Sequence, residues 1–199
     1  MDSVLTLVNP SPPIHLEFDR NSVVNAVLLK NSQPAYTIRT KQRTASARTD
    51  VVYVKTQEVI ASIEIKEIFP DVVTIASVNG GNSVKINKWM KEVQLPDKTR
   101  VRVIETAYGR YLWKLHVVHR LALYAESNLE TPVAYARPVT RTSPLVLVVE
   151  PEAMSFFDQI IASFIVREKE LRAEESKASR SAGMLVAKNP IVGGWLAGV

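Results

Sequence analysis

A chain of 199 residues with 46% hydrophobic content is long enough for one domain with a sizeable core, and this excludes global disorder. It holds no cysteine, which excludes disulfides, thiolate chemistry and palmitoylation, and fits a reducing compartment. The net charge of +5 lies wholly in residues 1–150, because 151–199 carry six basic and six acidic residues; so modest a surplus permits anionic partners without requiring one.

Residues 1–13 read as a lead-in containing Pro10, Pro12 and Pro13. The opening MDSVLTLVNP lacks a basic n-region, and its apolar run is too short for a signal peptide, so an intracellular, cytoplasmic protein is expected. Short β-rich runs separated by turn residues follow. Ile14–Phe18 turns through Asp19-Arg20-Asn21-Ser22 into Val23–Leu29, and Ala35–Thr40 comes after Pro34. Val51–Lys55 and Val59–Lys66 predict a hairpin. In the second of these, Val59, Ala61, Ile63 and Ile65 mark one face and Ser62, Glu64 and Lys66 the other, the pattern of a sheet with one buried and one wet side.

Val72–Ser77 and Ser83–Ile86 flank Asn79-Gly80-Gly81-Asn82, a turn signal. Asn87–Val93, holding Trp89 and Met90, reads as a helical turn or loop. Val101–Ala107 and Tyr111–Val117 predict a hairpin around Tyr108-Gly109-Arg110, and Arg120–Ala125, Pro132–Arg137 and Pro144–Val149 complete the set. About twelve short strands at regular spacing indicate a sandwich or a barrel.

Pro151–Glu175 breaks the pattern and predicts one long helix. Proline suits the first helical position, and Glu152 favours the positive end of the helix dipole. Met154, Phe156, Phe157, Ile160, Ile161, Phe164, Ile165 and Val166 cover more than one stripe, so this part must be enclosed. The apolar part, Ala153 to Val166, is shorter than the roughly 20 residues of a membrane span. From Arg167 the sequence turns charged, which describes a helix half buried in a surrounding sheet and half in water. After Glu175, SKASRSAG is expected to be a flexible link, and MLVAKNPIVGGWLAGV an apolar tail broken by proline and glycine. The expected organisation is a lead-in (1–13), a β domain with its central helix at 151–175 (14–175) and a tail (176–199).

Chemistry-bearing motifs are sparse. His15, His116 and His119 are the only histidines, and the last two would point to opposite faces of a straight strand, so no metal site is expected. P-loop, dinucleotide-binding and nucleophile-elbow spacings are missing, so the expectation is a protein that is not an enzyme and uses no cofactor. Tyr108, Tyr111 and Trp113 read as hairpin packing, with Tyr111 and Trp113 on one strand face. The stretch IRTKQRTASAR places Arg39, Lys41, Arg43 and Arg48 together without an acid, and Lys85, Lys88 and Lys91 surround Trp89. Arginine forks and lysine ammonium groups suit phosphate. The plainer reading of both groups is loop charge facing solvent. Nucleic acid is disfavoured, because aromatic residues are not interleaved with the basic ones.

IHLEF, VIASIEIK (Val59–Lys66), YGRYLWK (Tyr108–Lys114), PVAYARP (Pro132–Pro138) and LVLVVEPEAMSFFDQIIASFIVREKELR, in that order, carry a resemblance. The chain resembles an uncharacterised domain family, abundant in mushroom-forming fungi, that looks related to tubby-like and phospholipid-scramblase-like barrels. The resemblance spans roughly Leu5 to Glu175 and implies a mainly β fold: a closed antiparallel barrel of about twelve strands around a hydrophobic C-terminal helix. Tubby-like relatives bind phosphoinositides through a basic cleft, but that cleft does not map residue by residue onto this sequence. Scramblase-like relatives carry a cysteine cluster that this chain lacks, so scramblase activity is not expected. The leading expectation is a binding domain for anionic phospholipid headgroups or a membrane surface, peripheral to the membrane. The alternative is a protein-interaction scaffold whose partner is another protein.

Overall fold

The structure, a computed structural model, describes residues 11–140 and 143–187, with side chains as far as Arg180. Alternating apolar residues build thirteen strands. They are β1 (Ile14–Phe18), β2 (Ala26–Lys30), β3 (Gln33–Arg43), β4 (Ser46–Tyr53), β5 (Val59–Lys66), β6 (Val72–Ile75) and β7 (Val84–Lys85), then β8 (Met90–Gln94), β9 (Arg100–Thr106), β10 (Gly109–Leu115), β11 (Leu121–Ala125), β12 (Asn128–Arg137) and β13 (Val146–Val149). A single helical turn, α1 (Ile86–Trp89), joins β7 to β8. After a tight 3-10 turn, Pro151–Phe156, the chain forms the long helix α2 (Phe157–Ala187).

The strands make one sheet in the order β7-β6-β5-β4-β3-β2-β1-β13-β12-β11-β10-β9-β8. Chain neighbours are therefore sheet neighbours, and β1 meets β13 through Ile14↔Val149 and Leu16↔Leu147. The order is cyclic but for one break, between β7 and β8. Every neighbouring pair is antiparallel, so these two edge strands run in the same direction and cannot continue the antiparallel ladder. The chain crosses the break through α1.

The strand count exceeds the sequence expectation by one. Asn87–Val93 was expected as a helical turn or loop; the helical turn is α1, which ends at Trp89, and from Met90 the segment is strand β8 instead. Lys91, Glu92 and Val93 carry no clear alternation, which is why the strand escapes a pattern-based reading. The faces expected of β5 hold only in part: Ala61 and Ile63 are buried as expected, but Val59 and Ile65 near its ends are exposed, and Ser62, expected on the wet face, is buried with Arg48 and Asp50 as hydrogen-bond partners. At the β9–β10 turn Gly109 has φ +127°, a backbone conformation that side chains disfavour.

The sheet wraps around α2. Ile160, Ile161, Ala162, Phe164 and Ile165 are fully buried on successive faces of the helix. Phe164 meets Phe18 of β1 and Trp113 of β10, each at 5.9 Å between ring centroids. Phe157 meets Tyr36 of β3 at 5.7 Å. The Trp113 indole N–H donates to the Ser163 hydroxyl (2.9 Å), which in turn donates to the Ile160 carbonyl (3.1 Å). Tyr108 and Tyr111 lie against Phe156 at 6.1 and 4.3 Å, so the aromatic hairpin packs on the start of the helix.

Past Val166 the helix changes partners from apolar to ionic. Glu168 is fully buried and receives Arg120 (2.9 Å) and Arg172 (2.7 Å). Glu170 takes Arg102 from β9 at 2.9 Å, and Lys169 donates to Thr49 of β4 at 2.8 Å. Among the described side chains Leu171 is the last that is buried, and Ala173 to Arg180 are exposed. The stretch SKASRSAG, expected as a flexible link, continues α2 to Ala187. It contains only one glycine, and nothing in it forbids a helix already nucleated upstream. The rest of the expected tail, 188–199, and most of the expected lead-in lie outside the described residues. No helix among the described residues is long and apolar enough to cross a membrane.

Candidate basic surface on the β3–β4 hairpin

The stretch IRTKQRTASAR was expected as strand only to Thr40; the structure carries the strands on through Arg43 and back from Ser46. β3 and β4 extend as a hairpin past the apolar cores of both strands, turning at Thr44-Ala45. Side chains alternate across a strand, so Arg39, Lys41 and Arg43 share one face of β3. All three are exposed, while Ile38 is buried on the other face. Thr40 also faces inward: its hydroxyl lies 2.9 Å from that of Thr49, which holds Lys169 of α2. The helix thus sets the inner face of the hairpin, and this orients the cations outward.

The register brings the fourth cation in. Lys41 pairs directly with Arg48, Arg39 with Asp50 and Arg43 with Ser46. Like charges directly opposite each other destabilise a sheet. Here the neighbouring strands supply counter-charge. Arg48 donates to Asp50 (2.8 Å) and to Ser62 (2.9 Å), and it stands opposite Glu64 of β5. The Ser62 hydroxyl also donates to Asp50. Burial pushes the Asp50 carboxyl up, but the Ser62 and Arg48 hydrogen bonds and the positive charges of Arg48 and Lys41 outweigh it, and the carboxyl stays below its ordinary value. Arg48, itself exposed, is therefore held by Asp50 on the same face. Arg39 and Arg43 make no ion pair with any described residue, so the free positive charge of this face is carried by Arg39, Lys41 and Arg43.

The second predicted group lies elsewhere. Lys85 on β7, Lys88 on α1 and Lys91 on β8 line the break in the sheet, separated from the hairpin by β5 and β6. All three are exposed, and Lys91 is held by Glu105 at 2.9 Å. The structure does not merge the two groups into one cluster.

The histidines need a correction. His116 and His119 follow the end of β10 rather than lying on one straight strand, and their rings stack at 4.9 Å. His119 also packs on Tyr135 at 4.2 Å. The His116 Nδ1 accepts backbone N–H groups of Val118 and His119, each at 3.1 Å, which fixes the turn. Burial, with His116 and Arg137 nearby, lowers the His119 pKa. Among the described residues no group of His, Asp and Glu side chains is placed to hold a metal ion.

These observations define a class: a thirteen-stranded antiparallel sheet wrapped around a C-terminal helix, with a basic hairpin on its outer face. The chain belongs to DUF6593, a family of unknown function whose model matches residues 21–173, from the β1–β2 turn to the buried part of α2. No curated protein and no solved structure matches the chain.

Proposed function

We propose that this is a non-enzymatic binding domain that recognises anionic groups, the phosphates of lipid headgroups at a membrane surface, through the outer face of the β3–β4 hairpin. One observation carries the reading: Arg39, Lys41 and Arg43 stand on alternate residues of one strand, all exposed and all on one face. Their spacing of about 7 Å along the strand suits several phosphates side by side. Arg48 and Asp50 are paired beside them on the same face. The same reading takes the cyclic strand order as a closed barrel threaded by α2, akin to tubby-like and scramblase-like barrels, in a protein acting inside the cell. Lys85 and Lys88 are a second, weaker contact on that surface.

The test is flotation with vesicles containing phosphoinositide, at rising salt. Each cation near an anionic membrane contributes about 1 kcal/mol, so Arg39→Glu/Lys41→Glu/Arg43→Glu should weaken binding by about 100-fold or more. Binding by the native chain should also fall as salt screens it. No flotation at low salt, or equal flotation of the triple variant, sinks the reading. The second reading, a protein-interaction scaffold, is favoured by Ile68 and Phe69, which are 82% and 71% exposed at the β5–β6 turn. That turn abuts the hairpin tip, where the Glu67 N–H donates to the Ala45 carbonyl. A scaffold would bind its protein partner with little dependence on salt, and would lose it on Ile68→Ser/Phe69→Ser.

A further inference from the structure

A hollow of about 460 Å³ opens where α2 enters the sheet, between the β2–β3 turn, the end of β4 and the start of the helix. Its inner part is apolar: Ile14, Met154 and the mostly buried Phe157 line it, with Leu16 fully buried behind them. One wall is aromatic. Tyr36 and Tyr53 are directly paired across β3 and β4, with rings 5.3 Å apart, and Tyr36 also touches Phe157. The mouth is basic, with Lys30 at the end of β2 and Lys55 just past β4, both exposed and neither ion-paired with any described residue. The Tyr36 and Tyr53 hydroxyls make no hydrogen bond with any described residue. Burial, the Asp158 carboxylate and Tyr53 push the Tyr36 phenol up to about 12, so it stays protonated and able to donate. The nearby Asp158 carboxyl is itself raised by burial, and it is hydrogen-bonded to the Ser77 side chain.

An apolar slot with an aromatic wall, free hydroxyl donors and two unpaired cations at its rim has the make-up of a small-molecule site. We propose that this hollow binds an amphipathic anion, an aliphatic or aromatic group bearing a single carboxylate, sulfonate or phosphate. The apolar body would lie on Ile14, Met154, Phe157 and the tyrosine rings. The anionic head would sit between the Lys30 and Lys55 ammonium groups. Nothing in this site overlaps the outer face of the β3–β4 hairpin: Tyr36 and Tyr53 lie toward the opposite end of the strands from Arg43 and Ser46.

The test uses the full chain and three probes. Titration with 1-anilinonaphthalene-8-sulfonate should give a saturable rise in emission at one site per chain. Laurate should displace it, and dodecanol, with the same chain but no charge, should do so at least tenfold less well. Displacement by laurate supports a site that takes fatty as well as aromatic anions; failure of laurate to displace the sulfonate overturns it. Lys30→Glu/Lys55→Glu, two exposed substitutions that leave the core intact, should weaken sulfonate binding at least tenfold without changing the melting temperature. Backbone amide shifts on adding laurate should cluster at Lys30–Tyr36, Tyr53–Lys55 and Phe157. Unsaturable emission, equal displacement by dodecanol and laurate, unchanged affinity in the double variant, or shifts centred elsewhere would each overturn the assignment. Vesicle flotation of the same double variant separates this site from the hairpin, since it should float as the native chain does.

Discussion

Glu168 shows how a single residue ties the helix to the sheet. Its carboxylate is fully buried, and it is shared by Arg120 from the turn before β11 and Arg172 one helical turn on. Arg120 holds Glu175 as well, and those two carboxylates raise the arginine's pKa, Glu175 most, so the guanidinium stays charged throughout the working range. Removing one partner of a buried pair leaves the other uncompensated. Both arginines are partly exposed, so Glu168→Ala should cost about 3 kcal/mol, the low end for such losses, in urea unfolding. Asp50 makes a different prediction. Its folded pKa lies below the ordinary 3.8, so its stabilising contribution is fully present above that value and is lost as pH falls through the folded pKa. Asp50→Asn should lower the melting temperature at pH 7 and narrow the gap in melting temperature between pH 7 and pH 3. An unchanged gap would show that Arg48 and Ser62 do not stabilise the charged form. Neither residue stood out in the sequence. Glu168 sits in a charged run that reads as a solvated helix end; the nearby Arg172 and, for Asp50, Arg48 say nothing of burial, and Arg120 and Ser62, which join them across the sheet, lie 48 and 12 residues away.

At the scale of elements, α2 was legible and the basic hairpin was not. A helix with apolar side chains on most faces needs enclosure whatever surrounds it. Ile161→Asp should therefore cost about 2.5 kcal/mol or more, from burying an unpaired group. Phe164→Ala should cost about 3–5 kcal/mol, because it empties the space between Phe18 and Trp113. Phe157 lines the hollow at the helix start, so Phe157→Ala should cost less than Phe164→Ala. Thermal melts of the three variants rank these effects, and near-native stability of Ile161→Asp would place the helix outside. The hairpin was missed because Arg39, Lys41 and Arg43 face solvent, where a strand and a loop accept the same residues. The alternation that reveals a strand needs a buried partner at every second position; Thr40 fills one such place as a small polar residue bonded to Thr49.

For the whole molecule, the described core ends before the chain does. Leu171 is the last buried side chain among those described, and Ala173 to Arg180 stand in solvent. A chain ending at Ser176 keeps every strand and the ionic collar of Arg102, Arg120, Glu168, Glu170 and Glu175. It should melt within about 1 kcal/mol of the full chain, since few apolar side chains lose cover. Light scattering should give a mass reduced only by the missing residues. A drop of several degrees, or the loss of a dimer, would make the C-terminal segment part of the fold or of an interface.

The sequence by itself determined the class of structure: short alternating runs, turn residues at regular intervals, and one helix whose apolar part is too short to span a bilayer. Each of these is a local pattern, set by the period of strand and helix and by which residues tolerate burial. Tertiary structure alone decided how those elements combine. The antiparallel register put Lys41 opposite Arg48 and Tyr36 opposite Tyr53, and it assigned Asp50 to hold Arg48 while Arg39 and Arg43 stayed unpaired. The direction of the strands left β7 and β8 parallel across the break, bridged by α1. It also gathered Lys30, Lys55, Tyr36 and Phe157 around one hollow. Pairing across a sheet depends on register and on distant partners, and a shift of one residue turns every side chain to the other face; no local pattern carries that information.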